Sequence, residues 1–257
     1  MKITDVKLTA FTRPTVGKPS DYAIKNTGDT LIDLLTKYVA IQIVTDEGVT
    51  GETFSLGGGI GMAHIIASTI RPYLIGKNPL HREAIWQGMW HYNRFWLTPV
   101  TALGVIDVAL WDLYGKIIGR PVAEILGIYR EKLPTYASSM TKQTVGEFVD
   151  EAVKYRERGY QAYKIHAVGD PALDIKICTD IRKAVGDAYP LMIDVVSGYD
   201  QDQALRVGRA LEELGFLWYE EPLREYDIHG YKMLADKLDI PIAAVEVNEG
   251  SIYTTPE

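Results

Sequence analysis

The chain has 257 residues and a formal net charge of −7, and 47% of its residues are hydrophobic and 24% charged. This composition is typical of globular proteins, and the excess of acidic residues argues against nucleic acid as a main partner. No apolar run reaches the roughly 18 residues that a membrane span requires, and the N-terminus shows no signal-peptide pattern. The single cysteine, Cys178, excludes an internal disulfide framework. We therefore expect a cytoplasmic protein with no membrane partner, in which Cys178 packs among apolar residues.

The N-terminal segment has the pattern of an antiparallel sheet. Residues 2–11 alternate apolar and polar side chains, as a half-buried strand does. Two further strand-like runs, residues 38–45 and 49–54, flank Asp46-Glu47-Gly48 and predict a hairpin. Between them, residues 13–29 are rich in Pro, Gly, Ser, Asp and Asn and predict a long loop.

A glycine cluster and three helical stretches follow the hairpin. The cluster, residues 57–61, precedes a helix as a phosphate cradle would, but its spacing matches neither the P-loop nor the dinucleotide fingerprint. We therefore favour a flexible turn. The helices are predicted over residues 62–75, 80–92 and 101–118, and the third is apolar around most of its circumference, which predicts burial between layers.

From Leu133 onward, apolar strand-like runs alternate with helical segments, which is typical of consecutive β/α units. A closed parallel barrel needs eight strands, and this pattern supplies five. We predict an α/β protein with an N-terminal α+β domain, residues 1–130, and an incomplete β/α barrel, residues 131–257, and we expect the chain to be C-terminally incomplete. The predicted strands are 133–138, 162–166, 191–194, 216–220 and 242–246.

Acidic residues close three successive predicted strands at equal intervals, at positions 194, 220 and 246. Because the carboxyl ends of barrel strands face one mouth, Asp194, Glu220 and Glu246 should converge there. Converging carboxylates repel one another, and a hard divalent cation relieves that repulsion. Oxygen ligands favour Mg²⁺ or Mn²⁺ over Zn²⁺. We predict a metal site, against the alternative that each carboxylate simply faces solvent.

Lys164 and His166 end the second predicted strand, and their spacing of two places both side chains on one side. His166 suits general acid/base work. The pKa of Lys164 falls beside a cation, or the ammonium stays charged and binds a substrate carboxylate. The alternative is that both residues merely pair with neighbouring carboxylates. Glu221 should point away from Glu220, as an orienting or structural group.

These residues carry a resemblance to a known family. The sequence resembles the enolase superfamily, in its mandelate racemase/muconate lactonising enzyme branch. The resemblance covers essentially the whole chain. It rests on the strand-end residues above, on the helix at 102–116 with the Gly-Arg-Pro-Val that follows it, and on Trp218-Tyr219-Glu220-Glu221-Pro222.

The resemblance implies that residues 1–130 cap the mouth of a modified TIM barrel. It implies that the loops at 13–29 and 53–62 line a substrate pocket, with Tyr22 and Phe54 as candidate contacts beside Lys164. It also implies abstraction of the proton α to a carboxylate of a small-molecule acid, with Mg²⁺ stabilising an enediolate. Members often assemble through their capping domains, so we expect a homo-oligomer.

Three departures from the family pattern stand out. His166 replaces the second Lys of the usual Lys-x-Lys motif, and Val245 stands where Gly often precedes the third ligand. The later strands that carry a His–Asp pair in mandelate racemase-like members do not occur in this sequence. We predict a Mg²⁺-dependent dehydratase of a sugar acid or related hydroxy acid. The alternatives are a racemase or epimerase using the same proton abstraction, and an inactive fragment of such an enzyme.

Overall fold

The computed structural model describes residues 1–13, 36–56 and 59–246. They form two compact units, one containing the described residues up to Glu131 and the other those from Lys132 onward. The first unit carries a three-stranded antiparallel sheet with helices, and the second a five-stranded parallel sheet with helices. This is the predicted fold class. Most of the predicted 13–29 loop, with Tyr22, and two of the clustered glycines lie outside the described residues.

The N-terminal sheet has the order β1-β2-β3, with both pairings antiparallel. Strand β2 contributes three fully buried side chains to the core, Val39, Ile41 and Ile43, and β1 contributes Ile3 and Val6. The predicted strand and hairpin are therefore confirmed. The strands are β1 (Ile3–Thr12), β2 (Lys37–Thr45) and β3 (Thr50–Phe54).

Helices cover this sheet at the three predicted places. The second predicted helix runs four residues further than expected and ends where Leu97 adopts a left-handed conformation with φ of 53°. The segments are α1 (Ile60–Ile65), a π-helical turn (Ile66–Ile70), α2 (Arg71–Leu74), a 3₁₀ turn (Pro79–His81), α3 (Arg82–Trp96), α4 (Val100–Ile118) and α5 (Val122–Ile125).

Helix α4 is buried along much of its length but keeps an exposed strip. Its side chains at helical spacing, such as Leu103, Ile106 and Leu110, are fully buried, but Val108 is 54% exposed. Strands β3 and β2 and helix α3 all contact α4, so the predicted burial between layers holds for much of the helix. Val108 is not covered by them.

The second unit contains the five predicted parallel strands in sequence order, β4-β5-β6-β7-β8. Buried apolar side chains fill its core, among them Tyr163, Ile193 and Tyr219, and Cys178 is fully buried there as predicted. The strands are β4 (Ala137–Ser138), β5 (Tyr163–His166), β6 (Leu191–Asp194), β7 (Trp218–Glu220) and β8 (Ile242–Ala243).

Four of the predicted strands are shorter than expected, two of them by three residues or more. The first begins at Ala137 instead of Leu133, because Pro134 has no N–H to donate to a neighbouring strand and Leu133 is 71% exposed. The fifth ends at Ala243 instead of Glu246. Its partner β7 ends at Glu220, and the next residue has a positive φ of 44°, so the ladder cannot continue.

Four helices of this unit connect the strands and begin at capping side chains. Thr144 and Glu147 form a capping box at α6, and Asp200 and Gln203 form another at α8. The helices are α6 (Val145–Glu157), α7 (Pro171–Val185), α8 (Gln201–Glu213) and α9 (Ile228–Lys237). No helix in the described part of the chain is long and apolar enough to span a bilayer.

Candidate functional site

The carboxyl ends of β5, β6 and β7 bring four of the predicted site residues together. In the parallel register His166 lies opposite Asp194, and Asp194 lies opposite Glu220. Lys164, two residues before His166, projects to the same side. The convergence that the strand-end pattern predicted is therefore present for these four side chains.

The ammonium of Lys164 lies between two carboxylates. Its Nζ donates to Asp194 Oδ2 at 3.0 Å and to Glu220 Oε1 at 2.8 Å. Only 9% of the Lys164 side chain, 2% of Asp194 and 20% of Glu220 is exposed. Both carboxylates are thus aimed at one largely buried position that already attracts a cationic group.

These contacts fix the direction of two pKa shifts. Burial lowers the pKa of Lys164, but the hydrogen bonds that its ammonium donates to Glu220 and Asp194 outweigh burial, and the pKa lies above its usual value. Burial raises the pKa of Glu220, but the hydrogen bonds from Lys164 and Trp218 outweigh it, and that pKa is lowered. Between these two carboxylates the ammonium form of Lys164 is favoured, and the form it takes beside a bound cation stays a prediction.

His166 contacts the same carboxylate. Its Nε2 lies 3.3 Å from Asp194 Oδ2, and its backbone N–H donates to Ser139 Oγ at 3.0 Å. Nδ1 is buried and has no hydrogen-bond partner within the described residues. If the ring proton of a neutral imidazole is assigned to Nε2, the nitrogen nearer Asp194, the basic lone pair is on Nδ1.

Glu246 is placed differently from the other two predicted ligands. It follows the end of β8, its side chain is exposed, and its backbone N–H donates to Glu221 Oε1. Glu221 is 5% exposed, and burial raises its pKa. The described residues contain no group of three or more His, Cys, Asp or Glu side chains arranged to hold a metal. The three-carboxylate metal site stays a prediction.

The residues that do converge fit a hard cation. Asp194 and Glu220 offer carboxylate oxygens, which Mg²⁺ prefers, and both already point at one positive group, the Lys164 ammonium. A third oxygen ligand from Glu246 requires its side chain to turn toward the same place.

The two halves of the chain match two family models. Residues 13–127 match the mandelate racemase / muconate lactonizing enzyme N-terminal domain, and residues 147–253 match the enolase C-terminal domain-like model. The chain belongs to the mandelate racemase/muconate lactonizing enzyme family. The resemblance drawn from its strand-end motifs is confirmed.

The family relatives are enzymes with different reactions. The chain is 35% identical over 222 residues to L-talarate/galactarate dehydratase of Salmonella typhimurium, covering 81% of this chain and 54% of the relative. It is 30% identical over 217 residues to L-Ala-D/L-Glu epimerase of Clostridium acetobutylicum, covering 81% and 60% respectively. The chain therefore spans between half and two thirds of these relatives.

A solved structure shows the same fold. D-glucarate dehydratase from Agrobacterium tumefaciens, crystallised with magnesium, superposes with a TM-score of 0.81 and is 33% identical, covering 95% of this chain and 67% of that one. Magnesium therefore occurs in this enzyme family.

Two substrate contacts are predicted from the N-terminal domain, Tyr22 and Phe54. Tyr22 lies outside the described residues. Phe54 ends β3 and is 64% exposed. Both assignments stay predictions.

Two aromatic residues lie at the site without a role predicted for them from the sequence. Trp218 Nε1 donates to Glu220 Oε2 at 2.9 Å, and the ring centroid of Tyr136 lies 5.9 Å from Lys164 Nζ. The strand period places Trp218 on the same side as Glu220, so that neighbour was predictable. No sequence signal marks Tyr136, because it precedes the short strand β4 in an irregular segment.

Proposed function

We propose that the complete protein is a Mg²⁺-dependent dehydratase of a sugar acid or related hydroxy acid, which removes the proton α to a carboxylate. The observation that carries this proposal is the buried cluster in which the Lys164 ammonium joins Asp194 and Glu220, with His166 against the same carboxylate. The similarity to sugar-acid dehydratases supports the substrate class. The proposal concerns the whole enzyme, because the chain spans 54% of the dehydratase it resembles.

The residues have distinct roles in this proposal. Asp194, Glu220 and Glu246 would hold the cation, which when bound would stabilise the negative charge that develops on the substrate carboxylate. Lys164, held as an ammonium, binds a carboxylate oxygen of the substrate and stabilises the same developing charge.

His166 handles the proton in this proposal. A neutral imidazole nitrogen accepts the α-proton, and the Asp194 carboxylate, 3.3 Å from Nε2, stabilises the imidazolium that forms. Loss of the β-hydroxyl then requires an acid for the leaving group. A protonated imidazole can supply that proton if the departing hydroxyl lies within its reach.

Racemisation or epimerisation is the second candidate, favoured by the 30% identity to an L-Ala-D/L-Glu epimerase. It begins with the same proton abstraction but returns a proton to the opposite face of the carbon. Turnover in deuterated water separates the two reactions. Deuterium at the α-carbon without loss of water indicates racemisation, and loss of water with a keto acid product indicates dehydration.

The decisive experiment screens the intact protein against a panel of sugar acids with added Mg²⁺, with EDTA, and with EDTA followed by excess Mg²⁺. We expect EDTA to abolish turnover and Mg²⁺ to restore it. His166→Asn should lower kcat about 100-fold or more, since positioned acid/base groups contribute about that factor. Asp107→Asn serves as a control, because its carboxylate pairs with Arg82 on a different unit. Turnover that survives EDTA, or a His166→Asn enzyme with full activity, would overturn the proposal.

A further inference from the structure

We infer that Trp218 is a positioning residue that fixes the orientation of the Glu220 carboxylate for cation binding, and that Tyr136 holds the indole in place. This inference rests on the function proposed above and deepens it. Trp218 and Glu220 are two residues apart on β7, so their side chains project to the same side of the sheet.

The two oxygens of Glu220 have different donors. Oε2 accepts the indole N–H of Trp218 at 2.9 Å, and Oε1 accepts the ammonium of Lys164 at 2.8 Å. The terminal torsion of a glutamate is broad and roughly two-fold, so a carboxylate with one donor can still rotate. Donors on both oxygens fix its plane and therefore the direction of its remaining lone pairs.

Tyr136 supports the indole from the side. The rings of Tyr136 and Trp218 meet edge to face, with centroids 5.5 Å apart and an interplanar angle of 74°. The same Tyr136 ring lies 5.9 Å from Lys164 Nζ. The aromatic pair thus borders both partners of the Lys164–Glu220 ion pair, and rotation of the indole away from Glu220 would break its contact with Tyr136.

Packing alone does not account for this arrangement. A phenylalanine would fill much of the same space and keep an aromatic contact with Tyr136, but it has no N–H. What the indole adds is the donor directed at Glu220 Oε2. Groups that orient a metal ligand through such hydrogen bonds typically contribute about 10- to 100-fold to metal affinity or activity.

The test compares intact wild-type protein with Trp218→Phe. Mg²⁺ affinity is measured by titration calorimetry, and turnover is measured as a function of Mg²⁺ concentration. We expect the dissociation constant for Mg²⁺ to rise about tenfold or more. At saturating Mg²⁺, kcat and the KM for substrate should stay within about threefold of wild type, since Trp218 acts through Glu220 and touches no reacting atom. Trp86→Phe is the matched control, because Trp86 stacks on Trp90 in the first unit.

Trp218→His supplies a second variant that keeps a ring N–H donor, and it tests the same point should the Phe variant fail to fold. Where both variants fold, Trp218→His should bind Mg²⁺ more tightly than Trp218→Phe. Where only Trp218→His folds, its Mg²⁺ dissociation constant should lie within about tenfold of wild type. Equal Mg²⁺ affinity in wild type and Trp218→Phe, or an affinity loss in Trp218→His as large as in the Phe variant, overturns the positioning role. Absence of Mg²⁺ binding by the wild type overturns the proposed function itself, and the two failures are therefore distinguishable.

Discussion

The carboxylate of Asp174 accepts a hydrogen bond of 2.7 Å from the phenol of Tyr199. The same carboxylate accepts the backbone N–H groups of Val168 at 2.8 Å and Gly169 at 3.1 Å. Asp174 is 1% exposed and Tyr199 6% exposed. One buried carboxylate therefore ties the segment that follows β5 to the segment that follows β6, and these segments continue directly from two site residues.

The stability supplied by Asp174 should depend on pH. Burial raises the pKa of Asp174, and the hydrogen bonds from Tyr199, Val168 and Gly169 only partly oppose it. The folded state therefore holds the proton more tightly than the unfolded state, and the unfolding free energy falls as pH rises from about 3.9 through the higher folded pKa. Asparagine does not titrate. Asp174→Asn should be less stable than wild type by about 1–2 kcal/mol at acid pH. This difference in unfolding free energy should become smaller toward neutral pH, because the stability of the wild type falls and that of the variant does not.

Urea denaturation at about pH 4 and pH 7 measures this gap. Asp180→Asn on the same helix is the control. The hydrogen bond from Lys176 lowers the pKa of Asp180, so the stability difference between wild type and this variant should not become smaller as pH rises. A gap for Asp174→Asn that widens toward neutral pH would contradict the prediction.

Strand bounds are predicted best where residues next to the strand in sequence determine them. The bounds of β6 match those predicted, because a short apolar run ends in a charged residue with turn residues on both sides. The end of β8 was placed three residues too late, since it depends on where its neighbour β7 stops pairing. The pairing of β7 ends at Glu221, and no sequence pattern predicts the positive φ of this residue.

The candidate site likewise has some features that the local sequence predicts and others that depend on tertiary contacts. The strand period correctly predicted that Lys164 and His166 would share a side. It could not predict that Lys164 Nζ would contact two carboxylates, because that contact joins residues 30 and 56 positions apart. The place of Glu246 likewise depends on its backbone contact with Glu221, which is a tertiary feature.

Arg182 should be a major stabilising residue of the second unit. Its side chain donates to the carbonyl oxygens of Leu214 at 2.8 Å, Tyr189 at 2.6 Å and Gly215 at 3.1 Å, and the residue is 5% exposed. These bonds join the C-terminal ends of α7 and α8. Arg182→Met keeps much of the apolar stem but leaves several carbonyls without a donor, and we expect a loss of about 3 kcal/mol in unfolding free energy.

Chemical denaturation of Arg182→Met and Lys183→Met provides the comparison. Lys183 is the next residue of α7 and its side chain is 74% exposed, so its replacement should change stability by less than about 0.5 kcal/mol. Equal stability of the two variants would show that the Arg182 hydrogen bonds contribute little.

Gly51 on β3 should not tolerate a side chain. A Cβ at this position would collide with the carbonyl oxygen of Ala109 and with Cβ of Leu113, both on α4. Backbone atoms cannot move aside as a flexible side chain can, so Gly51→Ala should cost about 2 kcal/mol or more.

Gly104 on the same helix is the matched control, because a Cβ there meets nothing within 4 Å. Alanine is a better helix former than glycine, and Gly104→Ala should therefore raise stability by up to about 1 kcal/mol. Thermal unfolding of the two variants measures both effects. A Gly51→Ala protein as stable as wild type would show that β3 and α4 can separate at no cost.

Lys164 should stabilise the protein most when no divalent cation is bound. Lys164→Met leaves Asp194 and Glu220 close together without the ammonium that lies between them, and their repulsion should cost about 3 kcal/mol in the absence of Mg²⁺. Added Mg²⁺ binds the folded state and should raise the melting temperature of the variant more than that of wild type, because it neutralises the same two carboxylates.

Thermal melts in EDTA and in excess Mg²⁺ test this expectation. Lys116→Met is the control: Lys116 pairs with Asp112 at 2.7 Å and its side chain is 41% exposed, so its loss should be small and should not respond to Mg²⁺. An equal Mg²⁺-induced rise in melting temperature for Lys164→Met and wild type would mean that the cation does not bind where the Lys164 ammonium lies. Residues other than Asp194 and Glu220 would then bind the cation.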